Sequence, residues 1–378
     1  MNVIPPLDLT QQFQTIGDEV NAAVCAVLAS GQYINGPLNQ QFEQAFAHYI
    51  GTSECVVCNS GTDALYLALR AYDIGEGDEV ITTPFTFIAT AEVISMVRAT
   101  PVFVDVDPET FNLDLAQVQA AITPRTRAIM PVHLFGQPVD MTQLMAIAQA
   151  HNLLVIEDCA QSTGAQWKDA KVGSIGHVGC FSFFPTKNLG ACGDGGAVTI
   201  NDAAIATRIR ILREHGSRVR YYHEEIGMNS RLDAVQAAIL QIKLRYLDTW
   251  NAQRQAVADR YQQLLNRVPG VVTPKPLPGG TSVWNQYTIR LTQPEGTSSG
   301  EWRDRIRQKL QEQGVSSMVY YPIPLHLQSV YQSLGYAAGR FPVAEQLAYE
   351  VLSLPMFPEL SAQQQEQVFY ALKDSLVH

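Results

Sequence analysis

Apolar and polar positions along this chain fall into two kinds of block. Short apolar runs occupy residues 55–58, 79–82, 101–105, 128–132 and 153–157, and between them lie stretches 62–71, 88–97, 113–122 and 140–151, with apolar residues three and four apart. The short runs read as strands buried on both faces and the longer ones as helices with one apolar stripe. Strands that alternate with helices of this length build a mostly parallel, doubly wound sheet. Residues 178–184 and 196–200 add two more strands. Ahead of the alternation, helical patterns at 17–28 and 38–49 flank the turn-rich Ser30-Gly31-Gln32-Tyr33-Ile34-Asn35-Gly36-Pro37, and residues 1–12 read as an extended arm.

The pattern changes after residue 230. Residues 231–265 are helical for many turns, as in helices that bridge domains, and end before Val268-Pro269-Gly270. A Pro- and Gly-rich connector follows at 274–281, then a strand at 284–291, a helix at 301–313 and a strand at 315–320. The expected organisation is an arm (1–12), a large α/β domain (13–250) and a smaller C-terminal α+β domain (251–378), in keeping with 378 residues, more than one ordinary core holds.

Composition narrows the function classes. Apolar residues make up 46% and charged residues 16%, which suits a soluble globular chain. The balance of 26 Lys+Arg against 36 Asp+Glu gives −10, and no basic run forms a patch, which argues against nucleic acid as a partner. No apolar run is long enough for a membrane span and no leader is visible, so a cytoplasmic location is expected. The six cysteines are scattered through apolar segments. Cys55 and Cys58 lack a second pair to complete a zinc site, so all six are expected to be buried reduced thiols, with no metal.

Four features carry candidate chemistry. Ser60-Gly61-Thr62-Asp63-Ala64 lies between a strand and a helix, where small residues expose N–H groups to a phosphate, or simply cap the helix. Asp158 ends a strand, at the edge where open α/β sheets bind ligands; it could meet a metal, a ribose or a protonated ring nitrogen, or cap a helix. Gln161 is within reach of the same ligand. Ser182 and Lys187 follow a later strand, in Ser182-Phe183-Phe184-Pro185-Thr186-Lys187-Asn188-Leu189-Gly190. Partial desolvation there would make the lysine amine a nucleophile toward carbonyls, whereas a turn lysine at the surface would be inert. In this order, a phosphate cup, a carboxylate and a lysine fit pyridoxal 5′-phosphate, and the glycines after Lys187 would give the chain room beside it.

These segments, with Glu157-Asp158-Cys159-Ala160-Gln161-Ser162, Gly193-Asp194-Gly195-Gly196 and Gly227-Met228-Asn229-Ser230-Arg231-Leu232-Asp233, resemble the DegT/DnrJ/StrS nucleotide-sugar aminotransferases, a branch of fold type I. The resemblance implies that Lys187 holds pyridoxal phosphate as a Schiff base and shuttles the proton. It further implies that Asp158 pairs with the ring nitrogen, Gln161 contacts the ring hydroxyl, and Gly61, Thr62 and Ser182 bind the phosphate. Phe87 would stack on the ring, or else be a core residue. Asn229 would reach the neighbouring subunit's phosphate site, making a homodimer with shared sites. Arg231, Tyr321 and His326 are candidate substrate contacts, with Arg231 able instead to anchor the carboxylate of an amino donor or a sugar acid. Lys187 stands where the family's dehydratase offshoot carries histidine, which argues for amino transfer. The resemblance implies a keto sugar on a nucleoside diphosphate as acceptor and glutamate as donor, and the segments around Tyr221-Tyr222-His223 and Tyr321-Pro322-Ile323-Pro324 look most like members that aminate carbon 3, with carbon 4 open. A dehydratase or lyase of the same fold and a non-enzymatic regulator are the rival readings.

Overall fold

The computed structural model describes residues 3–292 and 300–377. Residues 1 and 2 of the expected arm, and 293–299 and 378 of the expected small domain, lie outside it. Seven strands form the central sheet: β1 (Glu54–Cys58), β2 (Glu79–Thr82), β3 (Thr100–Phe103), β4 (Thr126–Ile129), β5 (Leu154–Asp158), β6 (Val178–Ser182) and β7 (Gly196–Ile200). Their spatial order is β1-β7-β6-β5-β4-β2-β3. The five strands from β3 to β6 run parallel, and β7 lies antiparallel to both β6 and β1. The sheet is therefore mostly parallel.

Side-chain alternation sends each strand's apolar residues to both faces. Val56 and Cys58 of β1, with Val80, Ile156, Val178 and Val198, pack against α3 (Gly61–Ala71), α4 (Ala89–Met96) and α7 (Ala203–Leu212). Cys55 and Val57 of the same strand face the other way, toward Phe42 and Phe46 of α2 (Pro37–Ile50). Further along that second face, Ile81, Ile129 and Val155 meet α5 (Leu115–Ala121) and α6 (Met141–Ala150). Covered on both sides, the strands need no polar alternation, which explains their unbroken apolar runs.

The 32-residue helix α8 (Ala234–Leu265) joins the two halves. Ala237, Leu240 and Leu247 belong to the core beside the large sheet. Val257, Ala258, Tyr261 and Leu265 belong to a second core. That core also takes Trp302, Ile306 and Leu310 of α9 (Glu301–Glu312), Val368 and Leu372 of α11 (Ala362–Leu376), and the antiparallel strands β8 (Tyr287–Leu291) and β9 (Val351–Leu354). Ile4 is buried in it too, and its backbone bridges Val315.

Several local expectations change. α1 (Leu9–Ser30) starts eight residues before the expected 17, because the Asp8 side chain accepts from the Thr10 N–H at 2.9 Å and caps the helix. The extended arm thus ends at residue 8. Residues 315–320 are not a regular strand: they make only isolated bridges, Val315 with Ile4 and Met318 with Ser353. α7, α10 (Pro342–Glu350), α11 and β9 were not marked by the sequence pattern. Cys25 and Cys192 are exposed, so only four of the six cysteines are the expected buried thiols. No helix among the described residues is long and apolar enough to cross a membrane.

Candidate active site

The carboxyl end of the parallel strands collects most of the expected residues. Asp158 is the last residue of β5 and is 4% exposed. Its Oδ2 accepts from the Thr90 hydroxyl at 2.9 Å and its Oδ1 from the Ala160 N–H at 3.1 Å. Burial pushes its carboxyl above the usual range, and the two hydrogen bonds and the charge of Lys187 oppose that push. Lys187 is half-buried in the turn after β6, and loss of water around its amine pulls its pKa down to about 8, against the Asp158 charge, which raises it. At neutral pH a useful fraction of this amine is unprotonated, unlike a surface lysine.

The turn that carries Lys187 is clamped. The Asn188 side chain donates to Asn251 Oδ1 and to the Val283 carbonyl, each at 2.8 Å, and accepts from Asn285 at 2.7 Å. Lys243 donates to the Gly190 carbonyl at 2.8 Å. A Cβ on Gly190 would lie 2.3 Å from the Pro185 carbonyl oxygen. The expected room for a cofactor is here taken up by the chain folding back on itself, so this glycine serves the turn that aims Lys187.

The strand–helix turn behaves as an oxyanion cup. Ser60 caps α3 by accepting from the Asp63 N–H at 3.1 Å, and Ala64 N–H bonds the Ser60 carbonyl. The Gly61 and Thr62 N–H groups at the positive end of the dipole are left without intrahelical partners. A Cβ on Gly61 would sit 2.6 Å from the Ser182 Cβ, so the helix start and the end of β6 touch at this glycine. The Ser182 hydroxyl, which accepts from Phe184 N–H at 3.3 Å, lies 3.2 Å from that same Gly61 Cβ position and so faces the helix start.

Gln161 and Tyr321 meet across the two halves. Gln161 Oε1 accepts from the Phe135 N–H at 2.7 Å, and its amide nitrogen donates to the Tyr321 hydroxyl at 3.2 Å. Tyr321 lies edge-on to the buried Phe85 and 6.4 Å from Phe87, ring centre to ring centre. Phe87 is 58% exposed, so it is not the core phenylalanine of the alternative reading. An open aromatic face, an N–H cup, a buried carboxylate and a softened amine fit pyridoxal 5′-phosphate in kind and in placement.

Three other residues go elsewhere. His326 is buried, packs edge-on to Phe341 and bonds Glu345 at 3.0 Å, so any effect on a sugar would pass through its neighbours. Arg231 pairs with Glu214 at 3.5 Å, and Glu214 is also held by Asn35. Asn229 is exposed and its backbone bridges Glu214; the following Ser230 hydroxyl donates to Asp63 of α3 at 2.6 Å. Asn229 and Arg231 thus flank Ser230, whose hydroxyl ties this segment to the start of α3.

Behind the site lies a pair that the sequence pattern did not single out. Glu157 is fully buried and accepts from the N–H groups of Gly173 (2.9 Å), Ile175 (3.0 Å) and Gly176 (2.6 Å). His133 Nδ1 accepts from the Val139 N–H, which leaves Nε2 as the donor to Glu157 at 3.0 Å. Cys159 completes a grouping with metal-ligand spacing, but hydrogen bonds already occupy both Glu157 oxygens. The only sequence signal for this pair was a second carboxylate beside Asp158 at a strand end.

A mostly parallel α/β sheet with a lysine and a carboxylate at its carboxyl edge is the arrangement of the fold type I pyridoxal-phosphate enzymes. The chain belongs to the DegT/DnrJ/EryC1/StrS aminotransferase family, which it matches over residues 14–373. It is 46% identical to a UDP-N-acetyl-3-dehydro-alpha-D-glucosamine 3-aminotransferase of Acidithiobacillus ferrooxidans, covering 99% of this chain and 98% of that one. It is 48% identical to a pleiotropic regulatory protein of Geobacillus stearothermophilus over the full length of both. Among solved structures, S. venezuelae DesV in complex with a ketimine intermediate superposes with a TM-score of 0.95 at 42% identity, over all of both chains. Pyridoxal 5′-phosphate is the cofactor, as solved structures of neighbouring aminotransferases hold it in its aldehyde and amine forms.

Proposed function

We propose that this enzyme transfers an amino group from glutamate to a keto sugar carried on a nucleoside diphosphate, with carbon 3 as the position aminated. The observation that carries the reading is that the buried Asp158, the turn bearing Lys187, and Ser182 touching the start of α3 at Gly61 all gather at the carboxyl end of the parallel strands. The bound cofactor supplies an electron sink that lets a proton leave the carbon bearing the amine. In this reading the Lys187 amine moves that proton, and the Asp158 charge keeps the ring nitrogen protonated. Gly61, Thr62 and Ser182 hold the phosphate, Gln161 orients the ring hydroxyl and Phe87 covers one face. Support for the sugar comes from relatives named as nucleotide-sugar transaminases, several of them for a 3-amino product.

The same proposal makes the working unit a cytoplasmic homodimer in which Asn229 enters the partner's site. Tyr321 contacts the sugar, Arg231 takes the diphosphate once released from Glu214, and His326 braces Tyr321's segment. A panel of keto sugar nucleotides assayed with glutamate tests the substrate; no amination of any member refutes it, and amination of 4-keto members alone moves the position. Mixing Lys187→Ala with Asn229→Ala subunits tests the shared site. Recovery of activity by hybrid dimers is expected, and no recovery, with Asn229→Ala inactive alone, refutes sharing.

The regulatory name of the Geobacillus relative motivates a second reading as a non-enzymatic regulator. An acidic chain with every element of the cofactor set present does not favour it.

A further inference from the structure

We infer that Thr90 is a positioning residue for the amino-transfer reaction, holding Asp158 in place through a directed hydroxyl chain that begins at Thr86. The inference rests on the reading of Asp158 as the partner of the cofactor's ring nitrogen. Thr90 Oγ1 lies 2.9 Å from Asp158 Oδ2 and 3.1 Å from Thr86 Oγ1, and both threonines are at most 3% exposed. An ionised carboxylate only accepts, so the Thr90 proton goes to Asp158, and the Thr86 proton must go to Thr90. The chain therefore runs from Thr86 to Thr90 to Asp158. In so buried a site, the Thr90 hydroxyl favours the charged carboxylate, and Thr86 polarises that hydroxyl.

The placement joins this chain to the exposed ring. Thr90 N–H bonds the Phe87 carbonyl at 3.3 Å, so Phe87 and Thr90 share the first turn leading into α4. One turn of backbone thus sets both the open aromatic face and the orientation of the carboxylate. A valine at 90 would keep the shape and the turn while leaving Oδ2 of Asp158 without its hydroxyl partner. The remaining groups around Asp158 are Lys187 from the turn after β6, His133 from the turn after β4, the neighbouring Cys159, Cys180 of β6, and Tyr321 from the C-terminal half. Lys187 favours its charge, whereas burial opposes it. Without the hydroxyl, burial gains ground and the carboxylate takes up a proton at higher pH.

The experiment strips the full-length enzyme of cofactor and titrates it with pyridoxal 5′-phosphate across pH, for wild type, Thr90→Val, Thr90→Ser and Asp158→Asn, with melting curves to confirm the fold. Thr90→Val should bind on the order of tenfold more weakly, as expected for loss of a hydrogen bond to a charged group. Its loss of affinity on acidification should begin at higher pH than in wild type, and Thr90→Ser should restore both. Equal affinity and an unmoved acid limb in Thr90→Val, with Asp158→Asn impaired, overturn the inference alone. Equal losses in the valine and serine variants overturn it as well, since returning the hydroxyl would then restore nothing. An unimpaired Asp158→Asn overturns the reading of Asp158 itself. If Thr90→Val does not fold, Thr86→Val removes only the upstream donor; a smaller shift of the limb in the same direction is expected, and an unmoved limb overturns the chain.

Discussion

Replacing Gly61 by alanine tests the cup with a perturbation of known size. The new Cβ would lie 2.6 Å from the Ser182 Cβ and 3.1 Å from its Cα. Carbon atoms rest at about 3.5–4.0 Å, so the first turn of α3 must retreat from the end of β6 by roughly 1 Å. Overpacking of this kind costs about 1–3 kcal/mol, which in a chain of this size lowers the melting temperature by a few degrees. The larger effect falls on the cofactor. The retreat separates the Gly61 and Thr62 N–H groups from the Ser182 hydroxyl, and each charge-assisted hydrogen bond lost is a factor of about ten or more in affinity. Loss of two such bonds removes about 2.7 kcal/mol of cofactor-induced stabilisation at a fixed, saturating concentration. The assay is thermal melting with and without pyridoxal phosphate. Gly75→Ala is the control, because a Cβ there meets nothing nearer than the Val97 carbonyl at 3.6 Å. A Gly61→Ala protein that melts and responds to cofactor like the control would refute the cup.

Lys187→Ala should abolish turnover while the melting temperature of the cofactor-free protein is kept, because the turn is anchored by Asn188 and Gly190 rather than by the lysine; turnover near the wild-type rate would sink the role of the lysine. With the Lys187 pKa at about 8, the neutral amine grows as pH rises through that value, so the rate of cofactor capture by the stripped enzyme should climb up to about pH 8 and level above it. A rate independent of pH between about 6.5 and 9 contradicts the softened amine. Glu157→Gln turns an N–H group toward donors that now have a carboxylate, and should destabilise the fold by about 3 kcal/mol in urea unfolding. A loss under about 0.5 kcal/mol would mean that the buried pair with His133 contributes little.

What could be read without coordinates depended on how local the cause was. The strands β2 and β7 and the helix α3 announce themselves by apolar period, since each is buried on the face that its own sequence declares. Asp158, Gln161, Ser182 and Lys187 were visible because each follows or ends such a strand. Asp8 was not visible as a cap, since the first turn of α1 shows the polar Thr10-Gln11-Gln12 rather than an apolar stripe. Residues 315–320 looked like a strand because Val315, Met318, Val319 and Tyr320 suit one, but they lie between Ile4 and Ser353 with no regular ladder. His326 carried the right residue type in the right motif, yet its partner Glu345 lies on a helix that the pattern did not mark. Thr90, His133 and Glu157 act through tertiary contacts, and no spacing along the chain encodes those.

The docking of Ile4 has a consequence for how the protein is made. Its backbone partner is Val315, its neighbours in the second core include Leu372, and the Met356 N–H bonds the Pro6 carbonyl at 3.0 Å. Residues 4–6 leave the ribosome long before any of these. During synthesis the large sheet, whose strands end at residue 200, can assemble while that opening segment still has nowhere to go. Only when residues 314–316 and 356 emerge can residues 4–6 make these backbone bonds. Ile4 therefore waits through most of the synthesis of the described residues, and its seating belongs to the same step that assembles the second core.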